Sequence, residues 1–181
     1  VAACAGYDVV MIDIKDEYVE KGLGTIQFSL GKLVSKERMT QSAADAALGR
    51  ITTGTDRGMC AECDLVVEAV PEILSLKQEI FTELDGLCKP ETILASNTSS
   101  ISITTIAGST NRPDKVIGMH FMNPVPIMKL VEIINGEATS AATNSAVVEA
   151  AENMGKTALS CNDAPGSVSY THLRAHETLT D

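Results

Sequence analysis

The sequence predicts an α/β fold built on a doubly wound, mainly parallel β-sheet. Segments with the periodicity of strands alternate along the chain with segments that have the periodicity of helices. Several predicted strands are apolar throughout, which is typical of parallel strands that are buried on both faces. Polar residues stand at or just after strand ends, namely Asp13, Glu72, Asn97 and His120. Ligands bind at the carboxyl ends of the strands in such sheets, so these residues predict a site there.

The first third of the chain contains two predicted strands and the helices around them. Gly6 suits the C-cap of a helix because glycine readily adopts a positive φ. Farther on, apolar residues such as Val19, Leu23 and Ile26 recur three or four positions apart, as in a helix that buries one face. The predicted elements are the last turns of a helix at 1–5, a strand at 8–13, helices at 15–34 and 41–48, and a strand at 51–54.

The remainder of the chain continues the alternation of strands and helices. Pro90 ends a helix, since proline has no amide hydrogen to donate and its ring clashes with the preceding turn. Pro124 and Pro126 end a strand, because proline cannot continue a paired strand. The predicted elements are strands at 64–70, 92–96, 116–122, 130–134 and 157–161, and helices at 72–88, 101–107 and 139–154.

Composition and charge indicate a globular protein of the cytoplasm. The 181 residues are enough for one domain with a sizeable core, and the near absence of aromatic residues makes that core aliphatic. The formal net charge of −10 argues against nucleic acids and anionic membranes as partners. No apolar run is long enough to span a bilayer. Five cysteines without disulfide-type spacing fit a reducing cytosol.

Cys60 and Cys63 have the spacing of metal and redox sites, but their surroundings favour a structural role. A zinc site needs a second pair of cysteines or a nearby histidine, and neither follows. A thioredoxin-like motif opens a helix after a strand, whereas this one precedes a strand. His172 and His176 are four residues apart, but the glutamate of an HExxH motif is missing. We therefore predict no metal site.

His120 and Glu132 are the first candidates for acid–base chemistry. His120 lies near the end of the strand-like run 116–122, and Glu132 lies in the run 130–134. Two strands joined by a tight, proline-rich connection would fold back on each other and bring these side chains within hydrogen-bond reach. A histidine oriented by a carboxylate is the minimal apparatus for proton transfer near neutral pH. A structural histidine with a surface glutamate is the alternative that spacing alone leaves open.

Three segments carry a resemblance to a known family: VVEAVPE at 66–72, LASNTSS at 94–100 and GMHFMNPVPIMKLVE at 118–132. Through these motifs, and almost without a break over residues 1–166, the chain resembles the 3-hydroxyacyl-CoA dehydrogenases, in particular their bacterial 3-hydroxybutyryl-CoA members. The resemblance implies a Rossmann-like NAD-binding domain over 1–166. It also implies NAD-dependent oxidation of a 3-hydroxyacyl-CoA, with 3-hydroxybutyryl-CoA as the expected substrate, or the reverse reaction, in fatty-acid β-oxidation or butyrate metabolism.

The resemblance also implies roles in proton transfer and substrate binding. His120 would take the proton of the substrate 3-hydroxyl, or return it in the reducing direction, and Glu132 would orient the imidazole. Ser99 would hydrogen-bond the substrate. Asn123, in the turn after His120, would donate to a substrate oxygen and fix the reacting carbon.

Four residues are expected to hold the cofactor: Asp13 from its place at the end of a strand of the expected βαβ unit, and Glu72, Lys77 and Asn97 from their match to the family. Asp13 would accept hydrogen bonds from the adenosine ribose, which favours NAD over NADP, although spacing alone is equally consistent with an acid that caps the next helix. Glu72 and Lys77 would line the nicotinamide end, with a solvated charged pair at the start of a helix as the alternative. Asn97 would face the cofactor from the loop 96–100, whose polar side chains and free backbone donors could instead cap a helix.

Ser29 and Lys36 match positions that contact the CoA nucleotide in this family. They are seven residues apart on one face of a predicted helix, so both could meet one ligand. A lysine beside a phosphate is physically reasonable. A solvated lysine is the ordinary alternative for such a position.

Both ends of the chain depart from the family pattern. The first strand and the glycine-rich turn of a dinucleotide-binding fold are expected upstream of Val1. Residues 167–181 are polar, lack helical apolar spacing and place Tyr170 where the family has a substrate-facing asparagine. We expect this tail to be non-native or disordered. We also expect the family's helical second domain, through which the parent would form a homodimer, to be absent. The chain on its own is therefore expected to aggregate, or to be unstable and inactive.

Three other functions are compatible with parts of the pattern. A catalytically silent nucleotide-binding protein could share the fold, but it need not keep His120, Glu132, Ser99 and Asn123 together, as this chain does. Other dehydrogenases of this fold usually grip a free carboxylate with a lysine or arginine, and none stands beside His120, although Lys129 is near in sequence. The chain could also be a fragment of a multifunctional fatty-acid oxidation enzyme.

Overall fold

The computed structural model describes residues 1–163, which fall into two compact units. The first unit covers Val1–Ala61, and the second begins at Glu62. The last residues of the predicted domain 1–166 and the predicted tail 167–181, with Tyr170, His172 and His176, lie outside the described residues.

The first unit contains two parallel strands and two helices. Gly6, with a φ of 97°, ends a 3-10 turn at Ala3–Ala5, so its predicted role as a C-cap is confirmed. Alanine and leucine side chains from this turn and from both helices form a small core around Leu30. The elements are strand β1 (Val9–Ile12), helix α1 (Asp16–Ser35), helix α2 (Gln41–Gly49) and strand β2 (Ile51–Gly54), with a 3-10 turn at Arg57–Cys60.

The second unit contains a five-stranded sheet in which the strands lie in chain order. Its strands are β3 (Leu65–Glu68), β4 (Ile93–Ser96), β5 (Val116–Phe121), β6 (Leu130–Asn135) and β7 (Thr157–Asn162). Its helices are α3 (Leu74–Leu87), α4 (Ile103–Ala107) and α5 (Ala141–Asn153), with a 3-10 turn at Pro113–Lys115. Neighbouring strands run parallel, except that β5 and β6 are antiparallel.

The two faces of the β5–β6 pair have different roles. Met119 and Ile133 lie opposite each other and belong to a buried cluster that includes Val147 of α5. Because side chains alternate along a strand, His120 and Glu132 project from the opposite face. On that second face Gly118 is required, since a Cβ there would lie 2.8 Å from the Cβ of Ile134 and 3.1 Å from Ile103 of α4.

The predicted fold class is confirmed, and each predicted strand and helix is present with ends that differ by a few residues. Two points differ. Within the described residues the strands form two sheets and not one, because β1 pairs with β2, β3 pairs with β4, and no described strand pairs with both β1 and β3. Helix α3 begins at Leu74 and not at Glu72, which places Glu72 in the preceding loop. Residues 1–163 contain no helical second domain and no helix long and apolar enough to cross a membrane.

Candidate active site

His120 and Glu132 form a hydrogen-bonded pair, as predicted. They are direct partners in the antiparallel register of β5 and β6, and the distance from His120 Nδ1 to Glu132 Oε2 is 2.9 Å. The glutamate side chain is 1% exposed and the histidine side chain 15% exposed. With Nδ1 bound to the carboxylate, Nε2 is the ring nitrogen left for another partner. The alternative of a surface glutamate is therefore wrong.

A neutral thiol lies in the electrostatic field of this pair. Cys161 belongs to β7, the strand beside Glu132. Burial raises the pKa of the Cys161 thiol, and the negative charges of Glu132 and Asp163 raise it further. Cys161 therefore remains protonated near neutral pH and is no competing anion or nucleophile.

Glu72 organises the loop after β4. Its Oε1 accepts hydrogen bonds from the backbone amides of Ser99 and Ser100, each at 3.0 Å, and from the hydroxyl groups of Thr98 and Ser100. Burial on its own would raise the pKa of Glu72, but the hydrogen bonds from Thr98 and Ser100, together with the charge of Lys77, lower it to about 2. Glu72 is therefore an anion at neutral pH, and its side chain remains 36% exposed.

Lys77 lies beneath Glu72 and is buried, with 1% of its side chain exposed. Its ammonium group donates to Glu68 Oε1 at 2.8 Å and to the carbonyl of Val70 at 3.2 Å, and it lies 3.4 Å from Glu72 Oε2. Glu68, 2% exposed, also accepts from the hydroxyl of Ser96 at 2.6 Å. The interpretation of Glu72 and Lys77 as a solvated pair on a helix face is therefore wrong.

Glu68 and the side chain of Ser96 are not among the site residues predicted from the sequence. The available signal was a single carboxylate inside the otherwise apolar strand β3. A carboxylate in such a strand is either buried and paired or incompatible with the fold. In the parallel register of β3 and β4, Glu68 lies directly opposite Ser96, which supplies one of its partners.

Two expectations for the loop 96–100 are corrected. The backbone donors of Ser99 and Ser100 are not free, because they donate to Glu72. The loop also does not supply the N-cap of α4, since that cap is Ser102, whose hydroxyl accepts from the Thr105 amide. The first difference arises because Glu72, from the loop after β3, takes the donors of the loop after β4.

Asn97, Ser99 and Asn123 lie in connections next to strand ends. The side-chain oxygen of Asn97 accepts from the Phe121 amide at 2.8 Å, which ties the end of β4 to the residue after His120. Ser99 and Asn123 are exposed, so each is open to a ligand. Within residues 1–163 no hydrogen bond joins either of these two side chains to His120.

Asp13, Ser29 and Lys36 belong to the first unit. Asp13 is exposed directly after β1, and its carboxylate accepts from the Ile14 amide at 2.7 Å. The N-cap of α1 is Lys15, without a side-chain cap, so the capping interpretation of Asp13 is wrong. Ser29 is half-buried in α1, whereas Lys36 is exposed just beyond the last helical residue. Ser29 therefore lies on the helix as predicted, whereas Lys36 is the C-cap residue and not part of the helix.

No metal centre or disulfide is present in the described part of the chain. Residues 1–163 contain no group of three or more His, Cys, Asp or Glu side chains that could hold a metal ion. All five cysteines lie within this range, and none forms a disulfide. Cys60 ends a 3-10 turn and Cys63 precedes β3.

The fold is α/β with mainly parallel strands. An acid follows its first described strand, and a histidine–carboxylate pair lies near a strand end. These are features of a nucleotide-dependent oxidoreductase domain. The family model described as 3-hydroxyacyl-CoA dehydrogenase, NAD binding domain, matches residues 1–164. The chain belongs to this family, and NAD is the cofactor that the match indicates.

The three similar proteins named below are longer than this chain, which spans between 23% and 60% of their length. A probable 3-hydroxybutyryl-CoA dehydrogenase of Deinococcus radiodurans is 54% identical over 93% of this chain and 60% of its own length. The crystal structure of (S)-3-hydroxybutyryl-CoA dehydrogenase PaaH1 from Ralstonia eutropha has a TM-score of 0.92 at 43% identity, over 94% of this chain and 60% of that one. A fatty acid oxidation complex subunit alpha of Psychrobacter arcticus is 43% identical over 91% of this chain and 23% of its own length.

Proposed function

We propose that this chain supplies the NAD-binding and proton-transfer part of an NAD-dependent 3-hydroxyacyl-CoA dehydrogenase with 3-hydroxybutyryl-CoA as its substrate. The observation that carries the proposal is the 2.9 Å contact between His120 Nδ1 and the buried carboxylate of Glu132. The names of the relatives favour the short-chain substrate, and the family supplies the class of reaction.

His120 performs the proton transfer in this proposal. In the oxidising direction its Nε2 takes the proton of the substrate 3-hydroxyl, and in the reducing direction it returns that proton. Glu132 holds the ring by Nδ1 and stabilises the imidazolium while it is charged. Because Glu132 is buried and fixed in a strand, it holds the ring in one orientation without competing for the substrate.

NAD, when bound, supplies the hydride acceptor. In the first unit the exposed Asp13 carboxylate accepts hydrogen bonds from the ribose hydroxyls and repels a 2′-phosphate. In the second unit Glu72 and Asn97 contact the cofactor, and Lys77 keeps Glu72 in place from below. The residues fit this role: Glu72 is anionic, partly exposed and already fixed by its loop, so it does not have to be ordered on binding.

Ser99 and Asn123 bind the substrate, and Ser29 and Lys36 contact the CoA nucleotide. Ser99 and Asn123 are exposed in loops that are held by hydrogen bonds to their backbones or those of their neighbours. Lys36 is an exposed cation suited to a phosphate. In this proposal the enzyme is cytoplasmic and the full-length parent is a homodimer.

A chimera tests the function. In it, residues 1–163 of this chain replace the matching segment of the Deinococcus radiodurans relative. We expect the chimera to reduce NAD with 3-hydroxybutyryl-CoA, faster than with longer acyl chains, and to prefer NAD over NADP. The 181-residue chain is assayed beside it and is expected to show no turnover and weak binding of NAD by isothermal titration.

The His120→Gln chimera is the matched control. It should bind NAD like the parent chimera and lose turnover. A folded parent chimera that binds NAD but turns over no 3-hydroxyacyl-CoA would support the catalytically silent alternative. Micromolar NAD binding and turnover by the 181-residue chain would contradict the expectation that it is inactive alone.

A further inference from the structure

The connection between β5 and β6, called here the 122–129 loop, carries Asn123 and is poorly covered by the rest of the second unit. Most of its residues are exposed, and Ile127 is 75% exposed. Burial of apolar side chains therefore does little to hold it, and polar contacts must do so.

Backbone hydrogen bonds fix the two halves of the loop separately. The carbonyl of Pro124 accepts from the amides of Ile127 and Met128 at 2.9 and 3.0 Å, which closes the turn on itself. The carbonyl of Lys129 accepts from the Thr157 amide at 2.8 Å, which anchors the end of the loop to the start of β7. Neither set of bonds ties the turn that follows Asn123 to the sheet.

The side chain of Lys156 supplies that tie. Its ammonium group donates to the carbonyl of Val125 and to the carbonyl of Met128, the latter at 2.8 Å. Lys156 is half-buried at the residue before β7, and burial lowers its pKa. One cation thus bridges both sides of the turn through charge-assisted hydrogen bonds, which are about twice as strong as neutral ones.

We propose that Lys156 is a positioning residue for the reaction: it clamps the 122–129 loop to the start of β7 and thereby sets where Asn123 stands relative to the His120–Glu132 pair. The inference rests on the proposed function. Asn123 directly precedes Pro124, whose carbonyl receives the bonds that close the turn, so a turn that tilts carries Asn123 with it. A displacement of about 1 Å in a positioning group lowers a rate by up to ~10²-fold.

Lys129 offers a matched control for Lys156. It lies in the same loop and carries the same charge, but it is exposed. Within the described residues its side chain makes no hydrogen bond or ion pair. Lys129→Met therefore removes an equal charge from the same region and leaves the clamp intact.

The test compares Lys156→Met, Lys156→Arg and Lys129→Met in the chimera. For Lys156→Met we expect kcat/KM for 3-hydroxybutyryl-CoA to fall ~10- to 10²-fold, with the KM for NAD within about twofold of the parent chimera. Hydrogen exchange at the Ile127 and Met128 amides should accelerate, in the chimera and in the full 181-residue chain. Lys156→Arg, which keeps the charge and the donors, should recover most of the loss, and Lys129→Met should match the parent.

The outcomes separate the clamp from the proposed function. No turnover by the folded parent chimera overturns both. Two results overturn the positioning role but not the proposed function. One is a normal kcat/KM in Lys156→Met. The other is an equal loss of kcat/KM for NAD and for acyl-CoA together with a lower Tm. Unchanged exchange at Ile127 and Met128 overturns the clamp itself. If Lys156→Met fails to fold, Lys156→Gln takes its place, with the same expected split and the same contrary results.

Discussion

Two of the hydrogen-bonded pairs in the second unit have nearly equal distances and different surroundings. His120 and Glu132 are 2.9 Å apart, and Lys77 and Glu68 are 2.8 Å apart. The histidine keeps 15% of its side chain exposed, whereas the lysine keeps 1% and contacts two further groups, Glu72 and the carbonyl of Val70. A short distance therefore does not distinguish the pair proposed to transfer a proton from the pair that positions other groups. The difference lies in whether the base has a polar atom left for a ligand.

The carboxylates of the two pairs, Glu132 and Glu68, also differ in the groups that they hold. Glu132 lies opposite His120 across two strands, and its proposed contribution is to orient the imidazole ring. Glu68 accepts from Lys77, Ser96 and the Val70 amide, and through them it supports Glu72 and the loop that carries Ser99. Loss of the first pair should stop proton transfer in a folded protein, and loss of the second should weaken the fold around the site.

The largest effect is expected for His120→Gln in the chimera. Turnover should fall ~10²- to 10⁴-fold, which corresponds to about 3–5 kcal/mol in the barrier, because His120 is the group proposed to take the hydroxyl proton. The unfolding midpoint and the affinity for NAD should change little. Steady-state kinetics, calorimetric titration and thermal unfolding measure the three quantities, and near-normal turnover would remove His120 from the mechanism.

Lys77→Met should show the reverse pattern. Removing one partner of a buried pair leaves Glu68 uncompensated, so the free energy of unfolding should fall by about 3–5 kcal/mol. The double variant Glu68→Gln/Lys77→Met removes both charges and should recover part of that loss. Chemical denaturation of the chimera and its two variants tests this. A double variant no more stable than the single one would mean that the pair is not the source of the loss.

Asp13→Ser extends the comparison to a carboxylate that is exposed and not buried. The preference for NAD over NADP should narrow by ~10-fold, about 1.4 kcal/mol, because the repulsion of a 2′-phosphate is removed. The ratio of kcat/KM for the two cofactors measures it, with stability expected to be unchanged. An unaltered ratio, or a parent chimera that prefers NADP, would contradict the assignment.

The smallest effect concerns the pH dependence of stability through Glu72. Its pKa in the fold, about 2, lies below the ordinary value of 4.5, so the stabilisation is complete above pH 4.5 and is lost as the pH falls toward 2. Because the carboxylate is partly exposed, it should contribute only about 1 kcal/mol to the free energy of unfolding. Thermal unfolding between pH 7 and pH 3 should show a shallower decline for Glu72→Gln than for the parent. Equal slopes would show that the loop is not held by this carboxylate.

The sequence predicted the half of the site that depends on strand pairing, and it did so for a physical reason. His120 and Glu132 sit in two apolar runs joined by a short, proline-containing connection, and pairing of neighbouring strands then brings them together. The Glu68–Lys77 pair could not be found in this way, because it depends on how α3 packs against β3. The hydrogen bonds of Glu72 depend on where two loops meet. Spacing along the chain predicts neither the Glu68–Lys77 pair nor the hydrogen bonds of Glu72. The single acid in the apolar strand β3 does indicate that it has a buried partner.

The antiparallel pairing of β5 and β6 has a consequence for insertions and deletions during evolution. Loss or gain of one residue within β6 would turn Val131 or Ile133 toward the face that carries His120 and point Glu132 into the cluster around Met119. The imidazole would lose its carboxylate and the apolar cluster would gain a charge in one step. We therefore expect active relatives to lack single-residue insertions and deletions in both strands. Their sequences should differ in this hairpin by substitution.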